Sequence, residues 1–328
     1  MHILAADIGG TYSRFALFKD NPLCLIHKEY ISSYTTSFTT ILQQIMSNSL
    51  FSSVPLDMCV LAIAGPIDNQ ETVKPSNLPY SIIKKDLLSF CKNILFINDF
   101  EAQAWSCLTE SMSDAILLHP ELKHNSFHNN NNVFSFNNKS GRLGVIGAGT
   151  GLGMAILEFD MYGKAKVIAS EGGHSAFPFI TNHELEFGNF LCQKKKLNYA
   201  RLDDVLSGSG LTWLHLFLTK EQFKPEEITL KPEFIDSETH TYFSCFYARI
   251  CRSLALFSLP QQGIVITGGL AKKCQILVNH PSFKKEFVNI GGEHKKILSR
   301  MPIWLNCNDA SGLWGAAQAG IIYSSKNY

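Results

Sequence analysis

Asp7-Ile-Gly-Gly-Thr11 places a carboxylate, two glycines and a threonine in one short run. Glycines let a backbone turn sharply and approach a ligand closely, and their N–H groups can face phosphate oxygens. A single carboxylate beside such a turn suits a hydrated Mg2+, which takes one or two carboxylates together with phosphates and waters. Gly147-Ala-Gly-Thr-Gly-Leu-Gly153 repeats the plan. The P-loop needs Gly-Lys-Ser/Thr, which neither run contains. The dinucleotide fingerprint would need glycine at position 152, where Leu152 stands. A two-glycine turn also serves a plain β-hairpin, so either run alone leaves both readings open. The pair is more specific, because two Gly-Thr turns facing each other can hold phosphates between them.

Two further clusters carry acid–base and polar chemistry. Asn98-Asp99 follows an apolar run, where Asp99 is placed either for chemistry or as a helix N-cap, a position aspartate favours. In Ser170-Glu-Gly-Gly-His-Ser175, Glu171 and His174 flank a glycine turn that can aim both side chains into one cleft. No metal pattern accompanies them, since His183-Glu184 does not continue as His-Glu-x-x-His. Ser209 does not sit in Gly-x-Ser-x-Gly, so the hydrolase elbow is missing.

The elements that must position these groups follow from periodicity. Both glycine runs join an apolar strand to a second strand, and residues 24–31 supply a third antiparallel one. Residues 36–50 carry helical spacing at Phe38, Ile41, Leu42 and Ile45. Residues 58–64 read as a buried strand ended by Gly65-Pro66, and residues 81–92 as a helix capped by Ser81 with Ile82, Ile83, Leu87 and Phe90 inward. A strand at 94–97 and a helix at 101–108 follow. Strand–helix–strand alternation implies a parallel portion of sheet, with ligands collecting beyond the strands' carboxyl ends, where Asp99 lies. Helices are expected at 182–196, 201–206, 211–217 and 237–259, the last with Phe243, Phe246, Ile250, Leu254 and Phe257 inward. A strand runs into Gly268-Gly269, another spans 302–305, and a small-residue helix occupies 311–322. Residues 119–142, rich in asparagine, read as a flexible surface insertion.

A chain of 328 residues exceeds the ~250–300 at which one core splits, so two domains are expected. With 29 Lys+Arg against 28 Asp+Glu there is no field for nucleic acid or an anionic membrane. The lysine clusters, including Lys194 to Lys196, read as solvated surface. Nine scattered cysteines without Cys-x-x-Cys argue against a disulfide framework or structural zinc and fit a reducing compartment. The N-terminus shows no signal segment and no long apolar run occurs, so a cytoplasmic protein is expected.

Taken together, the chain resembles the ATP-dependent bacterial glucokinases of the actin-like sugar-kinase superfamily. The resemblance covers nearly the full length and rests on Asp7-Ile-Gly-Gly-Thr-Tyr-Ser-Arg14, Ala64-Gly-Pro-Ile67, Asn98-Asp-Phe-Glu-Ala102, Gly147-Ala-Gly-Thr-Gly-Leu-Gly153, Glu171-Gly-Gly-His174, Leu206-Ser-Gly-Ser-Gly-Leu211 and Thr267-Gly-Gly-Leu270. It implies a two-domain α/β fold, the actin-like ATPase (ribonuclease H-like) sugar-kinase fold with an interdomain cleft. Its small domain would be residues 1–108 plus 313–328 and its large domain 109–312. It also implies roles. Asp7, Gly9, Gly10 and Thr11 would serve the ATP phosphates and Mg2+, with Asp7 the metal ligand. Gly149, Thr150 and Gly151 would form the second phosphate turn, and Gly268 and Gly269 would lie near the adenosine. Asn98 and Asp99 would hold the reacting end of glucose, with Asp99 the general base, while Glu171 and His174 bind hydroxyls nearer the anomeric carbon. The enzyme would be a homodimer.

Two positions depart from the family pattern. Asp203, four residues before Ser207, stands where the family carries a third sugar-binding glutamate, and Ser209 stands where it usually has proline. A side chain one methylene shorter matters, because a ~1 Å misplacement can cost on the order of 10²-fold in rate. Asp203 is nonetheless expected to contact the sugar. The alternatives are a kinase of another hexose or of an amino sugar and, from another class, a sugar-sensing regulator without catalysis. Such regulators usually carry an N-terminal helix-turn-helix, for which a first strand starting at residue 3 leaves no room.

Overall fold

The structure, a computed structural model, describes residues 1–33, 35, 37–120, 134–136, 140–235 and 237–325. Most of the asparagine-rich insertion expected at 119–142 lies outside the described residues. Two phenylalanines within it are described: Phe134 packs edge-on against Trp304 (5.5 Å between centroids) and Phe136 against Phe159 (5.0 Å).

The first elements are β1 (His2–Ile8), β2 (Tyr12–Lys19), β3 (Cys24–Ser32), α1 (Phe38–Ser47), α2 (Ser49–Ser52) and β4 (Met58–Ile63). Then come β5 (Thr72–Val73), β6 (Ile82–Ile83), α3 (Lys84–Leu87), β7 (Ile94–Asn98) and α4 (Asp99–Ser106). The chain continues with β8 (Ile116–His119), β9 (Gly141–Ala148), β10 (Leu152–Phe159), β11 (Ala165–Ser170), α5 (Asn182–Lys195), α6 (Leu202–Val205), α7 (Gly208–Thr219), α8 (Pro225–Leu230) and α9 (Glu238–Ser258). It closes with β12 (Ile264–Thr267), α10 (Gly269–Lys273), α11 (Ile276–Asn279), α12 (Pro281–Phe287), α13 (Gly292–Arg300), β13 (Ile303–Leu305) and α14 (Ser311–Ser324). Two compact units result, one of Met1–Ser113 with Asn308–Tyr328 and one of Asp114–Cys307.

The two main sheets are built alike. In the first unit the order is β3-β2-β1-β4-β7, with β1 to β3 antiparallel and β4 and β7 parallel to β1. In the second it is β11-β10-β9-β12-β13-β8, with β9 to β11 antiparallel and β12 and β13 parallel to β9. β8 runs antiparallel to β13 at the far edge. Each glycine run thus turns an antiparallel hairpin whose first strand also carries the parallel strands, so each turn opens at the carboxyl edge of its sheet.

Alternation along the strands decides what covers each face. Leu4, Ala6 and Ile8 of β1 share a core with Phe38, Ile41 and Ile45 of α1, while α14 lies against β1 and β4 on the other face and packs along α4. In the second unit, Ile146, Ile264 and Ile266 meet Phe243, Phe246, Tyr247 and Ile250 of α9.

Three expectations need correction here. Residues 81–92 do not form one helix: Ile82 and Ile83 pair with Val73 and Thr72, and only Lys84–Leu87 is helical. Phe257 does not face inward but is 86% exposed, because Leu254, Ala255 and Ser258 fill the buried side of the last turn of α9. Lys195 is no solvated bystander, since its Nζ is paired with the fully buried Asp204.

All nine cysteines are free thiols, and burial pushes Cys107 up to about 12 and Cys59 and Cys251 higher still. No helix among the described residues is long and apolar enough to cross a membrane.

Candidate functional site

In the first unit the parallel register brings three motifs to one sheet edge. Ile8 stands beside Ile63, and Ile63 beside Asn98. Asn98 is almost fully buried and spends its side chain on backbone: Oδ1 accepts from Phe100 N (2.8 Å) and Glu101 N (3.3 Å), and Nδ2 donates to Gly65 O (3.1 Å). Asn98, not Asp99, is therefore the N-cap of α4. That corrects the N-cap alternative for Asp99 and leaves Asn98 only its second N–H for a ligand. Asp99 is the first helical residue, half-buried, with Oδ1 accepting from Phe100 N at 3.0 Å. A carboxylate at a helix N-terminus sits in a favourable field.

The first glycine turn closes on itself, Gly9 N donating to Tyr12 O (3.2 Å), and is braced by the residue after β3, with Ser33 Oγ donating to Gly9 O (2.7 Å) and Ser33 N to Thr11 O (2.9 Å). Asp7, opposite Arg14 in the β1–β2 register, pairs through Oδ2 with Arg14 Nη1 at 3.0 Å. Gly312, in the first turn of α14, keeps clear the space beside this carboxylate, since a Cβ there would come within 3.1 Å of Asp7 Oδ2. A single carboxylate is the protein ligand set that suits a hydrated Mg2+, which draws its other ligands from phosphate and water. Among the described residues no three His, Cys, Asp or Glu side chains gather as a metal cage.

The second unit assembles the other expected residues. Gly149 N donates to Gly151 O (2.7 Å), tightening the turn, and Gly208 N donates to Gly149 O (2.9 Å), so the Leu206-Ser-Gly segment docks on it. Gly268 adopts φ +88°, which favours glycine, and lies against Ala148; a Cβ there would meet Ala148 O at 2.5 Å. Gly268 and Gly269 thus lie beside the second turn, as β12 runs parallel to β9 with Thr267 opposite Gly147.

Glu171 and His174 bracket a single 3₁₀ turn, with His174 Nε2 3.5 Å from Glu171 Oε2. Gly173 packs so closely on Leu152 O that a side chain would not fit, which ties this turn to the hairpin. Arg201 Nη1 lies 3.4 Å from His174 Nδ1. A guanidinium can only donate, so Nδ1 accepts and the ring proton sits on Nε2, on the Glu171 side. Glu171, His174, Asp203 and Gly149 to Gly151 are therefore neighbours, although up to 54 residues separate Gly149 from Asp203.

Sequence reasoning missed the support beneath them. Asp204 is fully buried and receives Arg201 Nε (2.7 Å), Arg201 Nη2 (3.1 Å), Arg201 N (3.2 Å) and Lys195. The Arg201-Leu-Asp-Asp204 spacing was the available signal; nothing in the sequence marked Lys195. Burial pushes the Asp204 carboxyl up, but the hydrogen bonds from Arg201 and Lys195 outweigh it and hold the pKa at about 2, below the usual 3.8. Because the folded value is depressed, the stability it carries is complete above 3.8 and lost as pH falls through about 2. Asp204→Asn should therefore lower the melting temperature at neutral pH and flatten its decline between pH 4 and 2, as read by thermal melts across pH.

The glucokinase family model matches residues 4–321. The chain belongs to the glucokinase family. It is similar to a curated glucokinase of Trichormus variabilis, 28% identical over 353 aligned positions, which cover 96% of this chain and 97% of that one. Among solved structures, a glucokinase from an Antarctic psychrotroph aligns at TM-score 0.76 with 23% identity, covering 98% of each chain. A glucokinase from Balamuthia mandrillaris, solved in complex with glucose, aligns at 0.79 with 19% identity, covering 98% of this chain and 93% of that one. At these identities the structural likeness is one of fold. For this member of the glucokinase family, residues 4–321 span both sheets and every motif described above.

Proposed function

We propose that this chain transfers the γ-phosphoryl group of ATP to the 6-hydroxyl of glucose, releasing ADP and glucose 6-phosphate. The observation that carries the reading is the gathering of Glu171, His174 and Asp203 around a glycine phosphate turn in a chain of the glucokinase family. The reading includes the actin-like two-domain plan, with 1–108 and 313–328 as the small domain and 109–312 as the large one.

Asp99 is the base in this reading. A primary alcohol is a weak nucleophile, so a carboxylate that accepts its proton as the oxygen attacks phosphorus speeds the step. The proton passes to Asp99, the O–P bond forms, and the bond to the ADP oxygen breaks. The remaining need is positioning and charge neutralisation. Asp7 would hold Mg2+, which when bound neutralises phosphate charge; Gly9 and Gly149 close the two turns through their own N–H groups, leaving those of Gly10 and Thr11 and of Thr150 and Gly151 for the phosphates. Gly268 and Gly269 border the adenosine. Asn98 offers its second amide N–H to the sugar, and Glu171, His174 and Asp203 receive the remaining hydroxyls. Such a set discriminates, because a sugar lacking a hydroxyl leaves a polar partner unpaired. A cytoplasmic homodimer belongs to the same reading, and sedimentation tests the dimer.

The experiment is Mg·ATP-dependent ADP release across glucose, mannose, fructose, glucosamine and N-acetylated sugars. Strong preference for glucose is expected. Preference for another sugar would keep the mechanism and move the substrate, with Asp203 the first residue to test.

A further inference from the structure

Asp203 does something that its expected place among the sugar ligands does not account for. Its Oδ1 accepts from Leu152 N at 2.7 Å, across 51 residues of chain. Leu152 opens β10 and stands opposite Ala148 in the last pair of the β9–β10 ladder, just before the phosphate turn. Both N–H groups of this pair point out of the ladder. Ala148 N donates to the hydroxyl of the fully buried Tyr247 (3.1 Å), and Leu152 N donates to Asp203. Two side chains therefore hold the root of the turn, one neutral and one charged, and the charged one makes the shorter bond. Gly151 leaves the room this requires, since a Cβ there would collide with Asp203 Oδ1. The other oxygen, Oδ2, lies 4.0 Å from Arg201 Nη2, and Arg201 itself reaches His174.

We propose that Asp203 is a positioning residue for the second phosphate turn: through Oδ1 it fixes the Leu152 backbone, while Oδ2 is the oxygen directed to the sugar. The sugar half rests on the kinase reading above; the nucleotide half rests on the hairpin alone. The shorter side chain, measured against the family's glutamate, is then the length that reaches the Leu152 N–H from α6. Without it a buried backbone donor loses its charged acceptor and the root of the turn loses one of its two ties. Nucleotide affinity and sugar affinity would thus depend on one carboxylate.

The test is calorimetric titration of ADP, with no sugar present, into the full chain and into Asp203→Ala and Asp203→Asn, alongside the KM for glucose. Asp203→Ala should weaken ADP on the order of tenfold, the loss of one charge-assisted hydrogen bond, and raise the glucose KM. Asp203→Asn keeps an oxygen that can accept from Leu152, so ADP affinity should stay within about threefold of the parent while the glucose KM remains raised. Asp203→Ser, too short to reach the hairpin, replaces the alanine variant if that one does not fold. ADP binding unchanged in Asp203→Ala would overturn the proposal, as would Asp203→Asn losing ADP as fully as the alanine variant. If the parent turns over no sugar, the kinase reading fails while the ADP titration still decides the hairpin half.

Discussion

Asp99→Asn should lose turnover by about 10²- to 10⁴-fold, the usual worth of a positioned general base, while glucose still binds. The substitution keeps the shape and the hydrogen bond that Asp99 Oδ1 accepts from Phe100 N. Asn98 continues to cap α4, so the helix start should hold. What disappears is the ability to take a proton. The expected pattern is therefore a fall in kcat with the KM for glucose within a few-fold of the parent, read by steady-state kinetics and by direct glucose titration. Turnover unchanged in Asp99→Asn would remove Asp99 from the role of base.

The second large effect concerns stability. Arg249, on α9, is 4% exposed and makes two parallel bonds to Glu184 on α5 (2.8 and 2.9 Å), one to Pro178 O (3.0 Å) and one to Glu286 on α12 (3.2 Å). Arg252 also bonds to Glu286 (2.9 Å). Arg249→Met should destabilise the second unit by about 3–5 kcal/mol, because it strands the buried Glu184 without its partner. Replacing Glu184 as well, in Arg249→Met/Glu184→Met, should recover a large part of that loss, since removing a buried pair altogether costs far less than breaking it. Denaturant unfolding of the three proteins checks both statements, and a double variant no better than the single one would contradict them. A pH dependence accompanies the pair. Burial raises the Glu184 carboxyl, but the bonds from Arg249, Ile180 N and Thr181 outweigh it and leave the pKa below its usual 4.5. Its stability is thus present above 4.5 and lost as pH falls through the lowered value, which Arg249→Met should abolish.

Legibility in the sequence followed the range of the interactions. The two hairpins could be read because glycine turns and strand alternation are local, and the parallel strands because strand–helix–strand order implies them. The α/β class and the family followed from motif order. Residues 81–92 misled because Ile82, Ile83, Leu87 and Phe90 satisfy a helical period, while the pairing of Ile82-Ile83 with Thr72-Val73 is visible only once the chain has folded back. Phe257 stands three residues after Leu254 and so fits a helical period, but Ala255 and Ser258 take the inward side of that last turn. Asn98 and Asp99 both suit an N-cap, and only the register of β7 beside β4 decided between them, by setting Asn98 against Gly65. The motifs naming Asp7, Glu171, His174 and the glycines were local runs. The Asp203–Leu152 bond, the Lys195–Asp204 pair and the Arg249–Glu184 pair join separate elements, and no spacing rule connects their partners.

The central claim is a transfer between two named atoms, and it is tested most directly by following both products at once. Purified protein with Mg·ATP and glucose should form one glucose 6-phosphate for each ADP, with the phosphate located on the 6-oxygen by phosphorus NMR and no ADP formed without sugar. ADP released at the same rate with and without glucose, or phosphate found at another hydroxyl, would contradict the account.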